Sequence, residues 1–185
     1  MSEGEAMLWR CSVALIFIVL AGAGAPAAAR PALTGCDAFV EKLRLAASDM
    51  QVEFAHSLVV SRAKTDVSVF DITTKVDVDA TLTCHGDEFV RFEARIAEPA
   101  SARAATNFDR FSAAALRGAM GWDESRSQNL MRGMTSDARE YRDASRQRGD
   151  VYIAGKTEEH APGGVSLGLI YTDTDRAFII VSPNG

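Results

Sequence analysis

The pentapeptide Gly164-Val165-Ser166-Leu167-Gly168 has the glycine-x-serine-x-glycine spacing that lifts a serine nucleophile onto a sharp strand-to-helix turn. That chemistry needs a strand before the serine, a helix after it, and an acid and a histidine further along the chain. Here Pro162-Gly163 precedes the motif, a β-rich run follows it, and no histidine lies beyond His160. The sequence therefore predicts no serine nucleophile. Cys84-His85 places a thiol beside a base, but neighbours on a strand point to opposite faces. Cys84 is expected in the core with Leu82, and His85 with Thr83 on the polar side or in the turn. An activated thiol also needs an accessible electropositive setting, which this position does not offer.

His56 falls on the apolar parity of its strand, between Phe54 and Leu58, as a core or rim histidine does. Glu158, Glu159 and His160 are three adjacent metal-binding residue types without the HExxH or paired CxxC spacing that directs ligands to one point. Asp71, Asp77 and Asp79 share the polar parity of a sheet with Thr and Lys, the composition of a solvated face. Asp173 and Asp175 read as hairpin-turn residues, because a calcium loop needs more oxygen ligands. No catalytic residue, metal site or cofactor is expected.

One stretch points to binding instead. Between Arg126 and Arg148 six arginines face three acids, Asp137, Glu140 and Asp143. Arg139, Arg142 and Arg146 lie on one helical face, with Asp143 at salt-bridge spacing from Arg139 and Arg146. An ion-paired exposed helix accounts for that pattern; docking to anionic lipid or to an acidic partner is its functional alternative.

The elements that must carry these residues follow from periodicity. Phe39, Leu43, Ala46 and Met50 recur at helical spacing within Asp37 to Met50. From Ser68 to Cys84 the even positions are mostly apolar and the odd ones polar, so one face of a strand is buried. Such a strand would run to roughly 55 Å, beyond the usual length, so a bend or bulge is expected near Thr73-Thr74-Lys75. Val52 to Val60 should pair with its first half, and Val90 to Ile96, across the His85-Gly86-Asp87 turn, with its second.

Pro99 ends this meander, and Ser101 to Met120 reads as an Ala-rich helix stopped by Gly121. A shorter helix, Ser125 to Met134, has capping-box spacing between Ser125 and Gln128, and Thr135 or Ser136 caps a third piece ending before Gly149. Val151 to Ala154, Val165 to Tyr171 and Ala177 to Val181 are strand-like, separated by Thr157 to Gly164 and by Asp173-Thr174-Asp175. Phe178 to Val181, apolar on both parities, predicts an interior strand. The expected fold class is α+β, in the order α-βββ-ααα-βββ. Two three-stranded antiparallel meanders form a sheet of about six strands with helices on one face.

The amino-terminal segment addresses the compartment. Arg10, the apolar run Val13 to Leu20, Pro26 and Ala27-Ala28-Ala29 follow the order of a secretory signal, although Glu3 and Glu5 precede the charge. Residues 1–29 are expected to be a cleaved signal peptide, 30–35 a leader, and 36–185 a single domain. Loss of Cys11 would leave Cys36 and Cys84, which can pair in an oxidising compartment. Leu33-Thr34-Gly35-Cys36 also resembles the lipobox of bacterial lipoproteins, in which the cysteine is lipidated, but Pro26, Arg30 and Pro31 separate it from the apolar run.

The chain carries a formal charge of minus five, and the signal segment accounts for only one negative unit of it. That balance disfavours a nucleic-acid partner. The expectation is a periplasmic or secreted, non-enzymatic module that binds an unknown envelope component or protein partner, with no membrane span after cleavage. The alternatives are a small secreted hydrolase assembled from distant residues, such as His56 with a sheet aspartate, and a membrane-anchored lipoprotein accessory domain.

Overall fold

A computed structural model describes residues 35–52, 54–64, 66–75 and 77–183, without the side chains of 54–64 and of Thr73. The expected signal peptide, the lipobox residues Leu33 and Thr34 and most of the leader lie outside the described residues. Helix α1 (Cys36–Asp49) is followed by β1 (Phe54–Lys64), β2 (Val67–Thr74), β3 (Asp79–His85) and β4 (Glu88–Ala97). Then come α2 (Ala102–Met120), α3 (Glu124–Arg148), β5 (Ala154–Ala161), β6 (Val165–Thr172) and β7 (Asp175–Val181). All strand pairs are antiparallel, in the order β1-β2-β3-β4-β7-β6-β5. The fold is α+β, with two meanders joined where β4 pairs with β7.

The long alternating run breaks where its length demanded. β2 stops at Thr74 and β3 starts at Asp79, and the Thr74 hydroxyl donates to the Val78 carbonyl at 2.8 Å across the turn. The bend is a full reversal, so the two halves pair with each other as well as with β1 and β4, and the sheet has seven strands. β7 is interior, as its two-sided apolar composition predicts.

All three helices cover one face. Phe92 on β4 meets Phe39 of α1 at 5.5 Å and Phe111 of α2 at 5.9 Å between ring centroids. Cross-strand register aligns Phe92 with Ile180 and Ile180 with Leu167, so the same face of β7 and β6 completes the core. The Cys36–Cys84 disulfide ties the first residue of α1 to the core side of β3. That bond occupies the Cys36 sulfur on which lipidation would depend.

Two elements differ from the periodicity reading. Ser125 to Met134 and the piece after Thr135 are one helix, α3, capped by Asp123, whose side chain accepts from the Arg126 N–H. Thr135 does not cap; its hydroxyl donates to the Asp109 carboxylate of α2, so nothing interrupts the helix. β5 also runs through Thr157 to Ala161, which reads as a connection, whereas Val151 and Tyr152 are exposed. As an edge strand, β5 shows Lys156, Glu158 and His160 to solvent and lacks the apolar alternation that marks a half-buried strand.

At Gly155, β5 lies against α3 with no side chain between them. A Cβ at Gly155 would sit 1.7 Å from the Ala138 carbonyl oxygen and 2.7 Å from the Arg142 nitrogen, both backbone. Gly155→Ala should therefore force strand and helix apart and cost about 3 kcal/mol, the upper end of ordinary overpacking. Gly133→Ala, facing open space on α3, should instead gain up to about 1 kcal/mol of helix propensity. Urea unfolding of both variants measures the contrast, and a neutral Gly155→Ala would refute the close contact.

Candidate functional site

The residues whose types suggest chemistry are scattered. Cys84 is in the disulfide, and Ser166 lies within a strand with no helix following it. Ser166 does face His160 across the β5–β6 pair, Oγ to Nδ1 at 3.4 Å, on an exposed edge. No carboxylate hydrogen-bonds that imidazole among the described residues, so the pair has a base without an orienting acid. His85 is exposed at the end of β3. His56 is on β1, between Phe54, opposite Thr74, and Leu58, opposite Ile72; its side chain is outside the description. Six strand spacings separate β1 from β5, roughly 29 Å, so His56 and His160 cannot share a site.

The acidic residues do not converge either. Asp71, Asp77 and Asp79 line an open concavity of about 480 Å³ at the β2–β3 turn with Thr74, Lys75 and Thr81. Among the described residues no three His, Cys, Asp or Glu side chains could hold one metal ion, which covers Glu158, Glu159 and His160 as well. Asp173 and Asp175 flank the β6–β7 turn, where Thr172 donates to Asp175 and Arg146 pairs with Asp173.

The arginine face divides in two. Arg142 is half-buried beside the sheet, its side chain 14 % exposed, with Cζ 4.1 Å from the Tyr171 ring centroid and Nη2 2.9 Å from Asp143. Arg146 is paired with Asp143 at 3.7 Å and with Asp173 of the β6–β7 turn. Both hold α3 to the sheet. Arg139, one turn before Arg142, is exposed and makes no ion pair among the described residues.

A buried charge cluster that sequence reading missed lies beneath that helix. Arg176, at the start of β7, is 3 % exposed and its Nη2 donates to Glu98 at 2.6 Å; Glu98 is itself 7 % exposed. The other Glu98 oxygen accepts from the Ala100 N–H at 2.9 Å. Nη1 of Arg176 lies 3.7 Å from Asp109 on α2, and its Cζ stands 4.3 Å from the Tyr171 ring that Arg142 also covers. The Arg176 Nε has no hydrogen-bond partner among the described residues.

Asp109 links this cluster to the surface. It lines a groove of about 340 Å³ between α2 and α3 with Thr106, Arg110, Gln128, Met131 and Arg132. Burial pushes its carboxyl above the usual range; Arg176, the Thr135 hydroxyl and Arg139 pull the other way, and Glu98 adds to the rise. A carboxyl with a raised pKa in a groove is a mark of functional sites as well as of structural networks. Arg110 and Arg132 pair with no carboxylate among the described residues; Arg132 donates to the Asn129 side chain instead. A sequence signal existed only in part, as Arg132 and Arg139 lie seven residues apart on one face of α3.

A second groove, of about 320 Å³, runs between the start of α3 and the β5–β6 turn. Arg126 covers the Trp122 ring there at 4.1 Å, beside Glu159 and His160. Among the described residues no helix is long and apolar enough to cross a membrane. No protein-family model, curated protein or solved structure matches this chain.

Proposed function

We propose that this chain is an exported, non-enzymatic binding module that holds an anionic envelope partner on the α2–α3 face. The observation that carries the reading is a set of guanidinium groups with no ion pair among the described residues: Arg110 and Arg132 line one groove of an acidic protein, and Arg139 acts electrostatically on Asp109 in the same groove. Among the described residues most other arginines are spent: Arg44, Arg91, Arg95, Arg117, Arg142, Arg146, Arg148 and Arg176 each lie within ion-pair distance of a carboxylate, and Arg126 covers the Trp122 ring, which leaves Arg103 outside the groove. Unpaired charges at a concave site attract counter-charges more strongly than flat surface charges do. The disulfide supports export, because such bonds persist in oxidising compartments. The dispersal of His85, His160, Cys84 and the aspartates supports binding over hydrolysis.

Capture from the native envelope by the immobilised domain, with and without Arg110→Glu, Arg132→Glu and Arg139→Glu combined, tests the reading. The wild-type domain should retain a partner that is lost in the triple variant and that weakens as salt rises toward 1 M, where the screening length shrinks to about 3 Å. Capture unchanged by the three reversals would overturn it. Hydrolase screens with ester, peptide, phosphate and glycoside substrates should be blank.

A further inference from the structure

We propose that the α2–α3 groove seats a phosphoryl group that still carries a proton, as inorganic phosphate or a phosphate monoester does. The inference rests on the anion-binding reading above and narrows it to one ligand chemistry. Three donor groups remain unspent at the rim. Arg110 has its whole guanidinium fork, and Arg132 keeps N–H groups beyond the one given to Asn129. Gln128 keeps one amide hydrogen beyond the bond to Glu124. The Thr106 hydroxyl is committed to the Ala102 carbonyl and serves only as an acceptor. Three donor groups match the three terminal oxygens of a phosphoryl group, whereas a carboxylate offers two. A groove of about 340 Å³ also admits a small substituent over Met131.

Asp109 selects among oxyanions. Its contacts with Thr135 and Arg176 both run through Oδ1, so Oδ2 is the oxygen open to a ligand. A carboxyl in an anion site repels a ligand unless one proton lies between them, on Oδ2 or on the ligand oxygen. Phosphate and its monoesters carry such a proton in the range around and below their second pKa, about 6 for a monoester, and sulfate does not. The groups facing Asp109 from each neighbouring element are Arg176 of β7, Thr135, Arg139 and Arg132 of α3, Arg110 of its own helix, and Glu98 after β4. Burial favours the protonated carboxyl, which helps supply the shared proton.

Calorimetric titration of the mature domain with inorganic phosphate, glycerol phosphate and sulfate at fixed ionic strength tests the assignment. Phosphate or glycerol phosphate should bind, with sulfate at least about tenfold weaker, the size of one charged hydrogen bond lost or opposed. Tight binding of glycerol phosphate alone would identify the monoester, and equal binding of both the free phosphoryl group. Affinity should fall as pH rises from about 6 to 8, where the phosphoryl ligand loses its proton.

The exposed Arg132→Ala should weaken phosphate at least about tenfold while leaving the circular dichroism unchanged. Asp109→Asn should close the gap between sulfate and phosphate to about threefold and flatten the pH dependence, effects a merely structural Asp109 would not produce. Absence of binding by both phosphate probes, or an undiminished sulfate gap in Asp109→Asn, would overturn the phosphoryl assignment. Envelope capture that still depends on the three arginines would then leave the broader anion-binding reading standing.

Discussion

Arg176→Met should destabilise the domain by about 3–5 kcal/mol, the cost of leaving one partner of a buried pair behind. The guanidinium is 3 % exposed and, among the described residues, supplies the only side-chain donor to a Glu98 carboxylate that is itself 7 % exposed. Methionine matches the length of the arginine stem, so the loss comes from the stranded carboxylate rather than from a cavity. Asp109, 3.7 Å from the same guanidinium, loses its largest opposing charge and should protonate more readily. The double variant Arg176→Met, Glu98→Gln should recover more than half of the loss, because the remaining amide is neutral and can still accept from the Ala100 N–H. Urea unfolding of the two single variants and the double measures the coupling. A loss below about 1 kcal/mol for Arg176→Met, or no recovery in the double, would mean that the pair is hydrated and acts as an ordinary surface bridge.

What the sequence could show and what it could not divide along one physical line. The strand character from β2 to β4, the break near Thr74, the interior position of β7 and helix α2 were legible, since each follows from a repeating apolar period that burial imposes or from the limit on strand length. The period is the same for a bent strand and for a reversal, and so did not show that β2 and β3 pair with each other. β5 was not, because an edge strand that shows Lys156, Glu158 and His160 to solvent has no such period. The continuity of α3 was hidden by Thr135, a residue that caps helices when exposed but here has a tertiary partner in Asp109. Arg142 read as one of a row of exposed arginines, yet it packs on Tyr171, which is 29 residues distant in the chain. The Arg176–Glu98 pair spans 78 residues, and nothing local in Asp175-Arg176-Ala177 distinguishes a buried arginine from a solvated one. The groove is illegible for the same reason. Asp109 and Arg110 belong to α2, Gln128 and Arg132 to α3, and only the helical hairpin closed at Gly121 sets them side by side.

The disulfide is the feature that both routes reach, and its removal should be the other large effect. Cys36 and Cys84, 6.3 Å apart at Cα, close a loop across α1, β1, β2 and β3. Their sequence separation of 48 gives about 4 kcal/mol in the chain-entropy model, a large fraction of the stability of an ordinary domain. The loop contains β1, which sits at the sheet edge and whose contacts run almost entirely to β2, so the cross-link restrains the part of the fold with the fewest other attachments. Cys36→Ser with Cys84→Ala avoids a stray thiol and leaves at the buried Cys84 position a side chain too small to clash. This variant should unfold at a urea midpoint lower by the equivalent of about 3–4 kcal/mol, and the wild-type protein should show the same shift in the presence of reductant. Hydrogen exchange in the variant should rise first in α1, β1 and β2 and last in β6 and β7, which the cross-link does not enclose. Equal midpoints with and without reductant, together with two free thiols in the purified exported protein, would show that the bond does not form there, and the support it lends to export would go with it.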